Sequence, residues 1–224
     1  MPLATTGGLE TVAVRVPAHP VARALIHAAS RAIAAPSANR SGRPSPTCAE
    51  HVREDLDGRI ELLLDGGPTS VGVESTVLDM TSEPPTLLRP GGVTLEQLED
   101  CLGEIRLLSS DDEEAASRSP GLRFRHYAPR APILLIEAGT GERAVVSWLE
   151  AGKSVALMIQ RATALERPHL TVKTMPADSE GYARELFGAL RELDSRGVDA
   201  IFVEAIAEEG LGRTVMDRLR RAAS

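Results

Sequence analysis

The second half of the chain alternates short apolar runs with amphipathic stretches of helical spacing. The apolar runs are PILLIE (132–137), SVALMI (154–159), LTVKTM (170–175) and DAIFVEA (199–205). The amphipathic stretches are ERAVVSWLEAG (142–152), SEGYARELFGALRELDSRG (179–197) and GRTVMDRLRRAA (212–223). Strands that alternate with helices form parallel sheets covered on both faces. Residues 132–224 are therefore predicted to form a small Rossmann-like α/β domain.

The first part of the chain, residues 1–107, also mixes strand and helix patterns. Period-two alternation predicts a strand in TVAVRVP (11–17), and further strands are expected in IELLLDGG (60–67), STVLDM (75–80) and TLLRPGG (86–92). Apolar spacing predicts helices from Pro20 to about Ile33 and from Thr47 to about Leu56. Thr94 and Gln97 form a capping box that opens a short helix ending near Gly103. A linker is expected over 108–131, which is acidic, rich in serine and without apolar periodicity.

Composition excludes several classes of protein. The 224 residues are 42% hydrophobic, enough for a core, and the net charge of −7 argues against a broad nucleic-acid-binding surface. No apolar run approaches the ~20 residues of a membrane span, and no signal peptide precedes the first strand, so we expect no membrane association and a cytoplasmic location. Cys48 and His51 have no second ligand pair, so no metal site is expected.

The segment APSANRSGRPSPT (35–47) concentrates small polar side chains in a loop that prolines stiffen. Such a loop can hold hydroxyls, an amide and backbone N–H groups around a phosphate or ribose. The same side chains can also do no more than cap their own turn. From these residues alone, both interpretations stay open.

The loop is followed, in order, by LLLDGGPTSVGVESTVLDM, LLRPGG and SPGLRFRHYAP. This ordered set resembles the threonylcarbamoyl-AMP synthase family, in the long form that joins a YrdC-like domain to a C-terminal domain. The resemblance implies an enzyme that joins L-threonine, bicarbonate and ATP, with Mg²⁺, into threonylcarbamoyl-AMP and pyrophosphate. Other proteins then transfer the threonylcarbamoyl group to tRNA, to the adenosine beside the anticodon.

The resemblance also implies site residues. The ATP contacts would be Thr11, Ser37, Asn39, Ser45, Arg89 and Tyr127, and the threonine contacts Arg15, Ala35 and Ser75. The linker would fold over the site as a lid that carries His126 and Tyr127. No residue is assigned as a nucleophile, because the carbamate of threonine itself attacks the α-phosphate. Without the resemblance, Arg15 and Arg89 are equally well explained as charges at strand ends, and Ser75 as a turn or ladder residue.

One departure from the family concerns the start of the chain. The family's catalytic domain begins with a strand, a helix and a Lys/Arg motif that have no counterpart in residues 1–107, so these match only its C-terminal part. We therefore expect a truncated and impaired synthase with an open sheet edge that favours self-association. The alternatives are a non-catalytic nucleotide- or RNA-binding fragment or interaction module, and a carbamoyl-transfer relative with a YrdC-like domain.

Overall fold

The computed structural model describes residues 3–6, 8–108 and 127–224. Its helices are α1 Leu3–Thr6, α2 Pro20–Ala29, α3 Ala49–Leu56, α4 Leu95–Leu102, α5 Gly141–Ala144, α6 Val146–Glu150, α7 Ser179–Ser195 and α8 Leu211–Ala223. Its strands are β1 Val77–Asp79, β2 Thr86–Arg89, β3 Arg106–Leu107, β4 Ile133–Ile136, β5 Val155–Ile159, β6 Leu170–Thr174 and β7 Ala200–Glu204.

The C-terminal part is built on a parallel sheet with the strand order β4-β7-β5-β6. Every residue of the central strands β5 and β7 is buried, because helices cover both faces of the sheet. On one face, α7 and α8 pack through side chains such as Phe187, Leu190 and Leu219. On the other face, Trp148 of α6 meets Phe202 edge to face. The predicted parallel α/β architecture is confirmed in this part.

The first part contains a smaller sheet with the order β1-β2-β3, in which β2 lies antiparallel to β1 and parallel to β3. The predicted capping box before α4 forms: Gln97 N–H donates to Thr94 Oγ1, and Thr94 N–H donates to Gln97 Oε1. The two bonds satisfy the backbone N–H groups of Thr94 and Gln97, which would otherwise lack partners at the start of the helix.

Two predicted strands in the first part are wrong. Residues 11–17 and 60–67 belong to no strand, and the side chains of Val14, Val16 and Leu62 are 82%, 87% and 73% exposed. A period-two pattern makes one face of a strand apolar, but a strand also needs a neighbour for its backbone hydrogen bonds. Within the described ranges, no segment pairs with either of these two.

Three helix predictions also need correction. The helix from Pro20 ends at Ala29, because Ser30 adopts a left-handed conformation with φ 50°. Helix α3 begins at Ala49, where Cys48 is the N-cap, and the Thr47 N–H donates to His51 Nδ1. The stretch 142–152 forms two short helices, α5 and α6, instead of one.

Most of the predicted linker lies outside the described residues, which resume at Tyr127. The part of the linker that is described does not behave as a solvated spacer, because Tyr127 and Ala131 are buried in the core beside α7. No helix within the described ranges is long and apolar enough to cross a membrane.

Candidate functional site

Ser75 lies between two arginines that come from different segments. Arg15 Nη1 donates to Ser75 Oγ at 3.4 Å, and Arg89 Nη2 donates to the Ser75 carbonyl oxygen at 2.8 Å. Burial, and then the charge of Arg218, lower the pKa of Arg89, although an arginine stays protonated. The sequence-predicted residues Arg15, Ser75 and Arg89 therefore converge on one polar site.

The end of β2 makes this convergence possible. Arg89 is the last residue of β2 and pairs with Val77 of β1, so the residues just before β1 lie beside it. A side-chain carbon at Gly91 would lie 2.2 Å from the backbone nitrogen of Thr76. Only glycine lets the RPGG turn pass so close to the VEST segment.

The loop at 35–47 is held partly by itself and partly by a distant residue. Asn39 Nδ2 donates to the carbonyl oxygens of Arg40 and Arg43 at 2.9 and 3.0 Å, as expected for a side chain that caps its own turn. Ser45 Oγ instead donates to Glu74 Oε1 at 2.5 Å, which ties the loop to the residue before Ser75. Asn39 Oδ1 is buried and accepts no hydrogen bond from the described residues.

Tyr127 is a core residue and is 7% exposed. Its ring stacks on Phe187 of α7 at 5.4 Å, and the guanidinium carbon of Arg218 lies 5.2 Å from the ring centre. Burial raises the pKa of the Tyr127 hydroxyl, so the side chain is neutral at physiological pH. The predicted lid residues up to His126 lie outside the described residues.

Three further predicted site residues are not joined to this cluster. Thr11, Ala35 and Ser37 are exposed. Within the described ranges, no hydrogen bond links them to Ser75 or Arg89.

Sequence reasoning missed Glu74, Arg191 and Arg218. Arg218 was detectable, because it falls on the inward stripe of α8 between Val215 and Ala222, where an apolar residue is expected. Arg191 likewise follows Phe187 by one helical turn on the buried side of α7. A cation on an apolar stripe indicates a buried partner elsewhere in the fold.

No group of three or more His, Cys, Asp or Glu side chains that could hold a metal ion occurs in the described part of the chain. The site described above is instead composed of guanidinium groups, hydroxyls and a single carboxylate. Such groups suit an anionic ligand.

The fold and the site together define an α/β protein with a cationic, hydroxyl-lined site between a small sheet and the helices of a parallel sheet. A family profile described as "Threonylcarbamoyl-AMP synthase, C-terminal domain" matches residues 93–224, and one described as "Telomere recombination" matches residues 1–91. The chain belongs to the threonylcarbamoyl-AMP synthase family.

Curated relatives at 39–45% identity are named threonylcarbamoyl-AMP synthase. The threonylcarbamoyl-AMP synthase of Pyrococcus abyssi is 45% identical over 230 residues, which cover 99% of this chain and 66% of the relative. The Bacillus subtilis enzyme is 45% identical over 226 residues, or 97% of this chain and 64% of the relative. The chain thus spans about two thirds of the length of these relatives.

Solved structures of the Pyrococcus abyssi protein Sua5 match the fold. Its complex with L-threonine superimposes with a TM-score of 0.90 at 45% identity, covering 99% of this chain and 66% of Sua5. A Sua5 variant in which a neighbouring histidine and tyrosine are both replaced by alanine gives a TM-score of 0.89 at 44% identity. The α/β fold predicted from the sequence is therefore confirmed.

Proposed function

We propose that this chain carries the threonine and ATP site of an L-threonylcarbamoyladenylate synthase, an enzyme that converts L-threonine, bicarbonate and ATP into threonylcarbamoyl-AMP and pyrophosphate. The observation that carries the proposal is the convergence of Arg15, Ser75 and Arg89 in a fold that matches threonine-bound Sua5 at a TM-score of 0.90.

The threonine half of the site consists of Arg15, Ser75 and Ala35. The planar guanidinium of Arg15 pairs with the amino-acid carboxylate through two parallel hydrogen bonds. The Ser75 hydroxyl, 3.4 Å from Arg15, bonds the threonine side chain. The main chain at Ala35, which is exposed, faces the same ligand.

The ATP half of the site consists of Thr11, Ser37, Asn39, Ser45, Arg89 and Tyr127. Arg89 neutralises phosphate charge, and the hydroxyls and amide of the 35–47 loop bond the nucleotide. Mg²⁺ enters as part of the substrate, because it prefers phosphate oxygens and water to a dedicated set of protein ligands.

The chemistry needs positioned charges and no covalent enzyme intermediate. The amine of threonine condenses with bicarbonate to a carbamate and water, and a carbamate oxygen then attacks the α-phosphate and expels pyrophosphate. Both reactants are anionic, so fixed guanidinium groups lower the barrier by holding them together and stabilising the developing charge.

The surrounding assignments follow from this role. Residues 1–107 form part of the catalytic domain, 108–131 a linker, and 132–224 a second domain. The chain contains a histidine-tyrosine pair at His126 and Tyr127, the same two residue types that are replaced together in the Sua5 variant. The product serves downstream proteins that modify tRNA, and a cytoplasmic location fits this role.

Calorimetry and a turnover assay with the 224-residue chain test the proposal. We expect L-threonine and ATP each to bind, and pyrophosphate release, at the low rate expected of an impaired synthase, to require threonine and bicarbonate together. Binding of both ligands with no threonine-dependent pyrophosphate release would favour the nucleotide-binding module over the synthase. Failure to bind either ligand by a folded chain would overturn the proposal.

A further inference from the structure

Arg218 is a buried cation that contacts three segments of the chain outside α8. Its side chain is 1% exposed, Nε donates to Glu74 Oε2 at 2.7 Å, and Nη2 donates to the Pro90 carbonyl oxygen at 2.9 Å. Its guanidinium also covers the ring of Tyr127, and Nη1 pairs with Asp217. Every face of this arginine is therefore occupied by a protein partner.

Outside α8, each of these partners either is a proposed nucleotide contact or is joined to one by a hydrogen bond or a peptide bond. The second oxygen of Glu74 accepts a hydrogen bond from the Ser45 hydroxyl at 2.5 Å, so Arg218 and Ser45 both donate to the same carboxylate. Pro90 directly follows Arg89. Thus one side chain of α8 fixes the supports of Ser45, Arg89 and Tyr127.

Arg191 of α7 reaches the same loop from the other side. Its Nη2 donates to the Pro44 carbonyl oxygen at 2.6 Å and to Asp55 Oδ2 at 2.6 Å. Pro44 precedes Ser45, so two helices of the C-terminal part hold adjacent residues of the loop.

Burying two guanidinium groups is costly, and apolar side chains would fill the same space with no desolvation penalty. Arginine can instead direct several hydrogen bonds in fixed directions, which apolar packing cannot do. The burial therefore fits a demand for exact loop geometry better than a demand for stability.

We propose that Arg191 and Arg218 are positioning residues through which helices α7 and α8 fix the end of the 35–47 loop and the supports of the nucleotide site. The identity of the ligand as ATP rests on the proposed function. The holding of the loop does not depend on it.

The first test needs no ligand and uses backbone amides as probes. The Gly92 N–H donates to the Glu74 carbonyl oxygen, and the Thr69 N–H donates to the Thr47 carbonyl oxygen. We expect Arg218→Gln to speed hydrogen exchange at Gly92, and Arg191→Gln at Thr69, by about tenfold or more while the amides of β5 keep their protection.

The matched control is Arg220→Gln, on the same helix as Arg218 but exposed and paired with Glu208. It should leave exchange at Gly92 unchanged. If Arg218→Gln does not fold, Glu74→Gln keeps the shape of the shared side chain and should speed exchange at Gly92 in the same way. Unchanged exchange at Gly92 in a folded variant overturns the inference.

The second test asks whether Arg218 acts through Ser45. Ser45→Ala should weaken ATP binding about tenfold in the unmodified chain but no more than about twofold in the Arg218→Gln background, because the hydroxyl is already misplaced there. Arg218→Lys should restore part of the affinity, since an ammonium group can still donate to Glu74. Additive losses, with no rescue by lysine, would contradict a positioning role.

The two tests separate this inference from the proposed function. If the unmodified chain binds no ATP, the proposed function fails, and hydrogen exchange alone decides whether the arginines hold the loop. If ATP binds but exchange and coupling are both unaffected, the function stands and the inference falls.

Discussion

At the scale of single residues, the site is defined by how charge and burial are balanced. Arg15 is exposed and meets Ser75 through one long hydrogen bond, so it is free to reorient toward a ligand. Arg89 is largely buried and bonds the Ser75 carbonyl oxygen, so it is fixed before any ligand arrives. Tyr182, in contrast to these hydrogen-bonded arginines, has a buried hydroxyl without a hydrogen-bond partner among the described residues.

Arg15→Ala should weaken binding of L-threonine much more than binding of ATP, because the arginine pairs with the amino-acid carboxylate. The expected loss is about 1.5–3 kcal/mol, the range for a charge-assisted hydrogen bond. Calorimetric titration of each ligand checks the prediction, and Arg23→Ala on the exposed side of α2 is the control. Equal losses for both ligands would reject the assignment of Arg15 to threonine.

Tyr182→Phe should make the protein more resistant to alkaline unfolding. Burial, and then the charge of Glu204, raise the pKa of Tyr182 well above its ordinary value near 10. The stability that this contributes is present below pH ~10 and is lost as the pH rises toward the folded-state pKa, since the unfolded chain ionises first. Urea unfolding from pH 7 to 11 should show a smaller decline for the variant, and an unchanged pH slope would contradict this account.

At the scale of elements, an ion cluster joins α3 to α7 across the two parts of the chain. Asp55 is buried and accepts hydrogen bonds from Arg43 Nη1 and Arg191 Nη2, both at 2.6 Å. Burial alone would raise the pKa of Asp55, but the hydrogen bond and charge of Arg191, with the charge of Arg43, outweigh it and lower the pKa. The cluster therefore stays ionised at neutral pH and fixes the direction of α3.

Asp55→Asn should lower the free energy of unfolding by about 3 kcal/mol at pH 7, because it removes the buried counter-charge of Arg191 and leaves only the exposed Glu54, whose Oε2 lies 3.6 Å from Arg191 Nη1. A lowered pKa contributes stability that is present above the ordinary carboxylate pKa near 4 and is lost as the pH falls through the folded-state pKa. The unmodified chain should therefore lose stability below about pH 4, and the variant should lack the part of this loss that comes from protonation of Asp55.

Urea denaturation at several pH values measures both effects. Asp57→Asn, a change at an exposed carboxylate just beyond α3, serves as the control and should have little effect. A loss at pH 7 equal to that of the control would show that the cluster contributes nothing to stability.

At the scale of the whole molecule, burial is distributed unevenly. The main core lies between the parallel sheet and helices α7 and α8, and few apolar side chains of the first part are buried. The segments 11–17 and 60–67 instead expose valines and leucines. Exposed apolar side chains favour association with another surface.

The chain should therefore self-associate in a concentration-dependent way, and Val14→Lys combined with Val16→Lys should weaken the association. Lysine side chains at these positions oppose the association because charge resists removal from water. Sedimentation velocity over a range of protein concentrations measures the effect, with Met80→Lys, at another exposed apolar residue, as the control. Equal association of the double variant and the unmodified chain would place the contact elsewhere.

The amino-acid sequence by itself determined the features that depend on local spacing. Short runs of strand character separated by amphipathic helical stretches were enough to predict β4 to β7 with α7 and α8, because strands that alternate with helices along the chain form a covered parallel sheet. The Thr94 and Gln97 capping box fixed the start of α4 for an equally local reason. Resemblance supplied Arg15, Ser75 and Arg89, which the fold brings together.

Only the tertiary structure decided which distant residues became partners. An alternating pattern marks 11–17 as a strand, but the ladder depends on a neighbour that local spacing cannot specify. Tyr127 follows a linker-like segment yet packs on Phe187. Arg218 can interrupt an apolar stripe because the fold brings it to Glu74, which lies 144 positions away in sequence. Periodicity records which face of an element is buried, whereas the charge that compensates a buried cation is set by how the elements pack.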